Sequence, residues 1–329
     1  MKLPVIASAP LECRPGEPSA ALRRAAEVWP APNCGSQLAS ILQTANLVPP
    51  RFVVVATAHD SQGAELPLGA VLAECLPGRS AIVMSPQVEP ATAEPTRSAI
   101  ATNLLLSLEQ VLGERDVLLA QGLTLNRLDA ASAWMQAAGY HPAGDLLYLT
   151  ADLTQISELS QRPPLLGPLS LVAHPPHDFQ RWLPLVEQTY VNSLDCPAVD
   201  GLRPTRDVLI GYQDIGQPRE DWWLIVQHEG RDVGCLLLAD HRPSNHAELV
   251  YMGLIPEVRG RGWGVFLAQQ AQRLAAASGA EHLVLSVDAE NRPALRHYQA
   301  AGFRFWEQRA IWIKTLSREG PALLNGKQL

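Results

Sequence analysis

The chain has 329 residues and a formal net charge of -7, with 47% hydrophobic and 18% charged residues. At roughly 100–200 residues per domain, this length predicts two domains, and the composition excludes a wholly disordered chain. No run approaches the ~18 apolar residues that a membrane span requires. The N-terminus has only a short apolar stretch, broken by Pro4, unlike a secretory signal. A cytoplasmic protein without a membrane partner is therefore expected.

Charge distribution and cysteine content exclude further classes of protein. The first 160 residues carry 9 basic and 15 acidic side chains, and the remainder carry 17 and 18. Neither part has the basic excess that binding to a phosphate backbone requires, so no nucleic-acid partner is expected. The five cysteines are irregularly spaced and form no CxxC pair. This pattern argues against a disulfide framework or a zinc site, and no metal is expected.

Three prolines and a glycine between Gln161 and Pro168 predict an extended linker. Beyond it, the stretch from 193 to about 218 is polar and predicted to be a loop. The other elements, from periodicity and turn residues, are a helix (177–192), three strands (222–228, 232–239, 247–255), a helix (261–278), a strand (282–288), a helix (291–301) and one or two final strands (303–314).

The first half repeats this order more faintly. Its predicted elements are helices near 18–28 and 35–46, strands near 51–58, 67–76 and 79–87, a helix at 98–113, a strand at 116–125, a helix at 126–138 and a strand at 144–151. A shift of 163 residues places Ala301-Gly302-Phe303 on Ala138-Gly139-Tyr140 and strand 282–288 on 119–125. Agreement at one offset predicts a tandem duplication. The predicted domains are 1–160 and 169–329, joined by the linker at 161–168.

The most informative segment is a glycine-rich turn that follows an apolar strand and opens a helix. It reads Arg259-Gly260-Arg261-Gly262-Trp263-Gly264. Uncovered backbone N–H groups and the positive end of the helix dipole make such a turn an anion site suited to a pyrophosphate. Arg259 and Arg261 add positive charge. A dinucleotide-binding fold fits poorly, because its glycines follow the first strand of a parallel βαβ unit.

Two motifs carry a resemblance to a known family. Arg259-x-x-Gly262-x-Gly264 after an apolar strand resembles the acyl-CoA pyrophosphate loop of the GNAT superfamily of N-acetyltransferases. Asn291-x-x-Ala294-x-x-x-Tyr298-x-x-x-Gly302-Phe303 resembles the second motif of that superfamily. The close resemblance covers about 245–305. It implies an α+β fold of two tandem GNAT-like domains, each a mixed, mostly antiparallel sheet flanked by helices.

The resemblance also implies a cosubstrate and its contacts. Acetyl-CoA would lie between strands 247–255 and 282–288, which diverge, with its pyrophosphate on 259–264. An amine would attack the thioester directly, and a backbone N–H of 252–255 would stabilise the oxyanion. The implied binding residues are Gly253, Leu254, Ile255, Arg259, Gly260, Arg261, Gly262, Trp263, Gly264 and Asn291.

Two residues are catalytic candidates. Tyr298 lies about two helical turns beyond Asn291, so both can face the cosubstrate, and its phenol can protonate the departing thiolate. Glu248 is the candidate general base, because Ala-Glu-Leu-Val-Tyr resembles the corresponding strand of the histone-acetyltransferase branch, where a Glu has that role. The alternatives are a core tyrosine and a solvent-facing glutamate. Asp288 and Glu290 are weaker candidates for the base.

The acceptor site is expected in the loop 193–207, where Asp195 and Asp200 can bind a cationic amine. The alternative is an ordinary polar loop. Cys196 is a poor nucleophile candidate, because no motif ties a His or Asn to it. His174 and His177 flank two prolines but lack the further ligands of a metal site.

The leading function is acetyl-CoA-dependent N-acetyltransfer to a primary amine of a small molecule or a protein, by a monomer or homodimer. The alternative is a non-catalytic acyl-CoA-binding sensor or scaffold. At the 163-residue offset, Thr96, Ala99 and Ala101 stand where Arg259, Gly262 and Gly264 stand, and Met135 replaces Tyr298. The first domain is therefore predicted to keep the fold without the cosubstrate loop.

Overall fold

The computed structural model describes residues 11–13, 51–59, 65–154, 169–217 and 219–316. The helices predicted at 18–28 and 35–46 and the linker at 161–168 lie outside these ranges. The chain divides into two compact units. The first contains the described residues up to Pro142 together with those from Ala310, and the second contains Ala143–Arg309. Each unit has its own buried apolar core.

The described part of the first unit contains a mixed sheet and two helices. Its strands are β1 (Leu11–Cys13), β2 (Arg51–His59), β3 (Glu65–Leu76), β4 (Ser80–Val83), β5 (Gln87–Val88) and β6 (Leu119–Thr124), and its helices are α1 (Thr96–Glu114) and α2 (Ala130–Ala137). The strands are ordered β1-β2-β3-β4-β6, and β5 pairs with β3. Among these strands, only β4 and β6 run parallel, over 80–83 and 119–122. One face of α1 lies in the core through residues such as Leu104 and Leu108.

The second unit contains most of the remaining elements. They are β7 (His141–Asp152), β8 (Ser170–Ala173), α3 (Phe179–Tyr190), α4 (Thr205–Gln213), β9 (Trp223–His228), β10 (Arg231–His241), β11 (His246–Leu254), α5 (Trp263–Ala277), β12 (His282–Asp288), α6 (Arg292–Ala300) and β13 (Arg304–Thr315). The sheet order is β7-β12-β11-β10-β9-β8. Only β11 and β12 are parallel neighbours within this order. The α+β, mostly antiparallel fold is thus confirmed.

Most predicted bounds agree with the structure to within a few residues, and β12 agrees at both ends. Three elements were not predicted, one of which is the short strand β1. The stretch 193–218, expected to be a loop, contains the helix α4, and a short strand, β8, precedes α3. Among the described residues, no helix has both the length and the apolar character needed to cross a membrane.

The final strand of each repeat pairs in the other repeat's unit. β7 and β13 coincide at the 163-residue offset, yet β7 pairs with β12 in the second unit, and residues 310–315 of β13 pair with β6 in the first. The compact units therefore do not coincide with the predicted division at 161–168. Alternation of apolar residues indicates which face of a strand is buried, not which strand lies beside it.

Candidate active site

The parallel strands β11 and β12 diverge after three residue pairs. They pair from His246–His282 to Glu248–Val284. β11 then continues against β10 as far as Leu254, and β12 continues against β7 as far as Asp288. Within the described ranges, residues 249–254 have no ladder partner on the β12 side. The predicted divergence of these two strands is confirmed, and it leaves strand backbone available to a ligand.

A cavity of about 520 Å³ extends from this opening to the glycine-rich turn. A cavity of this size falls in the range of small-molecule sites. The predicted residues that line it are Gly253, Leu254, Arg259, Gly260, Arg261, Gly262, Trp263, Gly264, Asn291, Tyr298 and Asp195. Ile255, Glu248 and Asp200 are absent from the lining, although all three are described residues. The structure thus brings most of the predicted set to one cleft.

The turn between β11 and α5 depends on glycine for two different reasons. Gly260 and Gly262 both have φ of +78°, and an added Cβ would meet open space at either position. Backbone conformation therefore explains glycine there. Gly264 has an ordinary φ, but its Cβ would collide with the His297 ring. Gly262 caps α5 without a side-chain hydrogen bond, so the first N–H groups of this helix remain available to an anion.

Arg259 has a different role from the one predicted. Its guanidinium donates to the backbone oxygens of Leu254, Thr189, Val191 and Asn192 at 2.8–3.1 Å. Three of these oxygens lie at the carboxyl end of α3. The side chain thus joins the turn to this helix end and satisfies carbonyls that a helix leaves unpaired. The cavity-lining arginines that remain beside the turn are Arg261, which lies over the Trp263 ring, and Arg296 on α6.

Asn291 and Tyr298 lie on the same wall of the cavity through α6. The Asn291 Oδ1 accepts from the Ala294 N–H at 3.2 Å, which confirms that this residue caps the helix. Tyr298 is 7% exposed, and its ring lies edge-on to Phe303. Burial raises the pKa of the Tyr298 phenol, and the negative charge of Asp195 adds to the effect. A phenol in this state keeps its proton at neutral pH and can donate it.

Glu248 lies at the closed end of the opening. It is the last residue of β11 that pairs with β12. Its Oε2 lies 3.0 Å from the Nε2 of His241 on β10. Ala239 and Leu237 share a face of β10 because they are two residues apart. Their partners on β11 are Glu248 and Tyr251, because the register shifts by one residue between Leu237 and Leu238. Glu248 therefore shares a face of β11 with Tyr251, which lines the cavity.

Asp195 and Asp288 form a reciprocal contact. The Asp288 N–H donates to Asp195 at 3.2 Å, and the Cys196 N–H donates to Asp288 at 3.1 Å. Desolvation raises the pKa of Asp195, and it raises that of the Cys196 thiol as well. A thiol held protonated is a poor nucleophile. Asp288 also accepts from the Glu290 N–H, which places both weaker base candidates at the end of β12.

His174 and His177 do not form a metal site. The His174 Nε2 lies 2.8 Å from Asp178, and its other ring nitrogen lies 3.5 Å from Arg181. No cluster of three or more His, Cys, Asp or Glu side chains suited to a metal ion occurs in the described parts of the chain. His174 instead packs on Trp182 at the start of α3.

An aromatic group beside the cleft was missed by sequence reasoning. Tyr212 of α4 stacks on Tyr251 of β11, and Tyr190 of α3 meets Tyr251 edge-on. The Tyr251 hydroxyl hydrogen-bonds Thr189 at 2.9 Å, and Tyr251 lines the cavity. Tyr212 is visible in the sequence, but the segment Thr205–Gln213 that contains it was predicted to be a loop, so its contact with Tyr251 was not expected.

Comparisons with known proteins show which family and fold the chain resembles. Residues 187–303 match the acetyltransferase (GNAT) family. Over 68 residues the chain is 34% identical to a mycothiol acetyltransferase of Corynebacterium aurimucosum. That match spans 21% of this chain and 22% of the relative, so the chain covers about a fifth of the curated protein that it matches.

Solved structures extend the likeness to nearly the whole chain. A GCN5-related N-acetyltransferase from Sphaerobacter thermophilus has a TM-score of 0.57 at 17% identity, covering 93% of this chain and 96% of that one. A tandem GNAT protein from the clavulanic acid biosynthesis pathway has a TM-score of 0.50 at 15% identity, covering 94% and 99%. The glucosamine N-acetyltransferase region of a fungal multi-domain β-N-acetylglucosaminidase has a TM-score of 0.56 at 16% identity, covering 93% and 38%.

These structural matches are below 25% identity and show the fold alone. The family match covers the strands and helices that form the cleft, and the structural matches cover both repeats. Residues 187–303 therefore resemble the acetyltransferase (GNAT) family, within a chain whose fold is similar to that of solved GNAT proteins, one of them a tandem GNAT protein, over nearly its whole length.

Proposed function

We propose that the second unit transfers the acetyl group of acetyl-CoA to a primary amine of a small molecule or a protein. One observation carries the proposal. A single cavity joins the opening between β11 and β12 to the N-terminus of α5, which has no side-chain cap. An elongated thioester with a pyrophosphate matches both ends of such a cavity. Free strand backbone suits an amide-bearing chain, and a helix N-terminus suits phosphate.

The chain's residues fit acetyl-CoA as the acyl donor. The N–H groups at the start of α5, with Gly260 and Gly262 in the turn, would hold the pyrophosphate. Arg261 would add positive charge there, whereas Arg259 would fix the turn through its carbonyl contacts. Residues 249–254 would pair with the pantetheine amides, because their edge lacks a strand partner. Asn291 would shape the wall as the cap of α6.

The chemical step in this proposal is direct attack of the amine nitrogen on the thioester carbonyl in a ternary complex. A backbone N–H of residues 252–255 would stabilise the tetrahedral oxyanion. As the carbon–sulfur bond breaks, the buried Tyr298 phenol would donate its proton to the thiolate. Burial raises the pKa of Tyr298, so the phenol remains protonated before the step, and its place in the cavity lining supports this role.

The general base in this proposal is Glu248. It shares a face of β11 with Tyr251, which lines the cavity, so the acceptor amine would approach the thioester from that face. The carboxylate would accept the ammonium proton directly or through water. Asp195, which lines the cleft, would attract a cationic acceptor. Asp200 lies outside the lining and is the weaker part of this acceptor proposal. A cytoplasmic location and independence of metal remain parts of the same proposal.

A panel of amines tests the function. Purified protein is incubated with acetyl-CoA and, separately, with glucosamine, spermidine, kanamycin and a lysine-containing peptide, and free CoA thiol is measured. Glucosamine belongs in the panel because one structural neighbour is a glucosamine N-acetyltransferase region. Amine-dependent thiol release, with mass spectrometry of an acetylated product, is the expected result. Tight acetyl-CoA binding without release across the panel would instead indicate the non-catalytic sensor.

A further inference from the structure

His241 forms a hydrogen-bonded pair with the proposed base. Its Nε2 lies 3.0 Å from the Glu248 Oε2. His241 ends β10 and Glu248 lies on β11, where it pairs with Ala239. His241 and Ala239 share a face of β10, because they are two residues apart. The contact is therefore a diagonal cross-strand pair, held by the register of two regular strands.

The two side chains are neither sealed from water nor fully exposed. The His241 side chain is 26% exposed and that of Glu248 is 31% exposed. A proton that reaches the pair can therefore leave to solvent from the imidazole. A pair of this kind at the edge of a cleft can accept a proton from the cleft and release it to solvent.

Neighbouring strands supply the charged and titratable surroundings of the pair. The ring of His246 on β11 stacks on His241 at 4.6 Å, and His282 is the β12 partner of His246. On the side of β7, Tyr148 is close enough to Glu248 that the carboxylate helps to raise the pKa of the phenol, after burial as the main cause. The ion pair between Glu307 and Arg309 of β13 also acts on Tyr148.

We propose that His241 and Glu248 accept the acceptor's proton as one unit, with His241 as the residue that positions Glu248 and takes the proton onward. The inference rests on the proposed acetyltransfer. An N–H bond of the ammonium breaks and an O–H bond forms on Glu248. In the resting pair the His241 Nε2–H donates to this carboxylate. Through solvent, the imidazole loses that proton from Nε2 and gains one on Nδ1, and Nε2 then takes the proton from Glu248, which leaves a carboxylate beside an imidazolium. The imidazolium releases the proton to solvent, and the resting pair is restored.

The pairing has a physical advantage over an isolated carboxylate. An imidazolium next to a carboxylate is a charge-assisted hydrogen bond, which is stronger than one between neutral groups. The proton is therefore held more firmly than on a carboxylate alone, and the driving force for removing it from the ammonium increases. Proton acceptance by a positioned base typically contributes about 10²–10⁴-fold to rate. His241 supplies part of that factor.

The test compares His241→Gln with a matched control, His246→Gln. Glutamine at 241 retains a donor for Glu248 but cannot take the proton. His246 stacks on the same ring, and its own hydrogen bond is to the Ser244 carbonyl, so His246→Gln removes the packing without the proton path. Both variants are assayed by thiol release from acetyl-CoA over a range of pH, with the amine panel described above, beside Glu248→Gln and the double variant His241→Gln/Glu248→Gln.

The expected result is a fall of about 10-fold or more in kcat for His241→Gln, with the KM for acetyl-CoA kept. The acid limb of its pH profile shifts, because the proton acceptor then consists of the carboxylate alone. His246→Gln stays within about twofold of wild type, and the double variant is no slower than Glu248→Gln, because partners in one unit are not additive.

The outcomes separate the two proposals. A wild-type protein that acetylates no amine in the panel overturns the proposed function, and this inference with it. An active wild type with an unshifted acid limb in His241→Gln, or with equal losses in His241→Gln and His246→Gln, overturns the inference alone and leaves acetyltransfer standing.

Discussion

The two repeats contain the same pair of parallel strands followed by a helix, but they use the space after it differently. In the second unit, β11 and β12 part beyond Glu248–Val284 and a cavity opens. In the first unit, β4 and β6 part beyond Val83–Gly122, and the Ser85 hydroxyl then donates to the Leu123 carbonyl at 3.1 Å. At the 163-residue offset, Leu123 corresponds to Ser286, which lines the cavity in the second unit. In the first unit, the Ser85 side chain thus binds a strand carbonyl whose counterpart residue in the second unit lines the cavity.

The helices that follow also begin differently. α5 begins at Trp263, which corresponds to position 100 at the same offset, whereas α1 begins at Thr96. Ala99 and Ala101 are therefore helical, and the first unit has no turn where the second has Gly262. The N–H of Ser98 already donates to the Glu94 carboxylate at 3.2 Å. An anion from outside would meet both a bound carboxylate and its negative charge.

The residue at the position of Tyr298 also differs between the two units. Tyr298 lines a cavity, but its counterpart Met135 is fully buried in the first core. An added Cβ on Gly122 would come within 2.8 Å of the Met135 side chain. Methionine fills irregular core space well. The sheet and helices of this fold therefore form in the first unit without the glycine-rich turn, so the turn is not needed to specify the fold.

The largest expected effect is the loss of acetyl-CoA binding when the turn of the second unit is disrupted. Gly262→Val places a β-branched residue at φ of +78°, a conformation that such residues strongly resist. The turn and the N–H groups at the start of α5 will move, and acetyl-CoA binding should fall below detection in isothermal titration calorimetry. The control is Gly279→Val at the other end of α5, where φ is +90° and an added Cβ also meets open space. Equal affinity in both variants would place the cosubstrate elsewhere.

The next effect separates chemistry from binding. Tyr298→Phe removes the proton donor but little volume, so kcat should fall by roughly 10- to 10⁴-fold while acetyl-CoA affinity is nearly kept. Steady-state kinetics and calorimetry on one preparation measure the two quantities. Tyr140→Phe is the matched control in the first unit, because that hydroxyl is buried without a hydrogen-bond partner. An unchanged kcat for Tyr298→Phe, with chemistry rate-limiting, would remove the phenol from the mechanism.

Arg259→Ala tests whether the turn is held by its carbonyl contacts. The variant loses four hydrogen bonds to backbone oxygens, three of them at the end of α3. Since each such bond contributes about 0.5–1.5 kcal/mol net, the free energy of unfolding should fall by about 2–4 kcal/mol in urea denaturation. Arg296→Ala removes an exposed arginine from the same cavity and should change it by less than about 0.5 kcal/mol. Equal small losses would show that Arg259 acts through charge alone.

The smallest effect concerns the filled opening of the first unit. Ser85→Ala removes the hydroxyl that donates to the Leu123 carbonyl. A single part-buried hydrogen bond of this kind should cost about 1 kcal/mol in urea denaturation. Acetyl-CoA affinity and kcat should not change, because this hydroxyl lies in the unit without the turn. A clear loss of affinity would mean that the first unit also takes part in cosubstrate binding.

Local features were predicted well from the sequence. The glycines of the turn, the cap at Asn291 and all of β12 follow from short-range rules that read neighbouring residues. The duplication also followed, because a common offset relates elements in both halves. In the turn, the cap and the strand, the residues that allow the prediction are the same few residues that form the feature.

Features that depend on spatial neighbours were not predicted. The carbonyls bound by Arg259 are about 70 residues away in sequence at α3, and the pairing of His241 with Glu248 needs the register of β10 and β11. The strands with which β7 and β13 pair also depend on spatial neighbours, because these two strands occupy the same position in their repeats. The helix α4 was missed for another reason, since it is short and contains Gly211 with Pro204 just before it.

The stoichiometry of acetyl-CoA binding tests the central claim most directly. Only the second unit combines diverging strands with a glycine turn and a helix N-terminus that lacks a side-chain cap, within the described residues. Native mass spectrometry of the full chain titrated with acetyl-CoA should therefore show one bound molecule per chain, and Gly262→Val should show none. Two equivalent molecules per chain, or one molecule retained by Gly262→Val, would contradict the account.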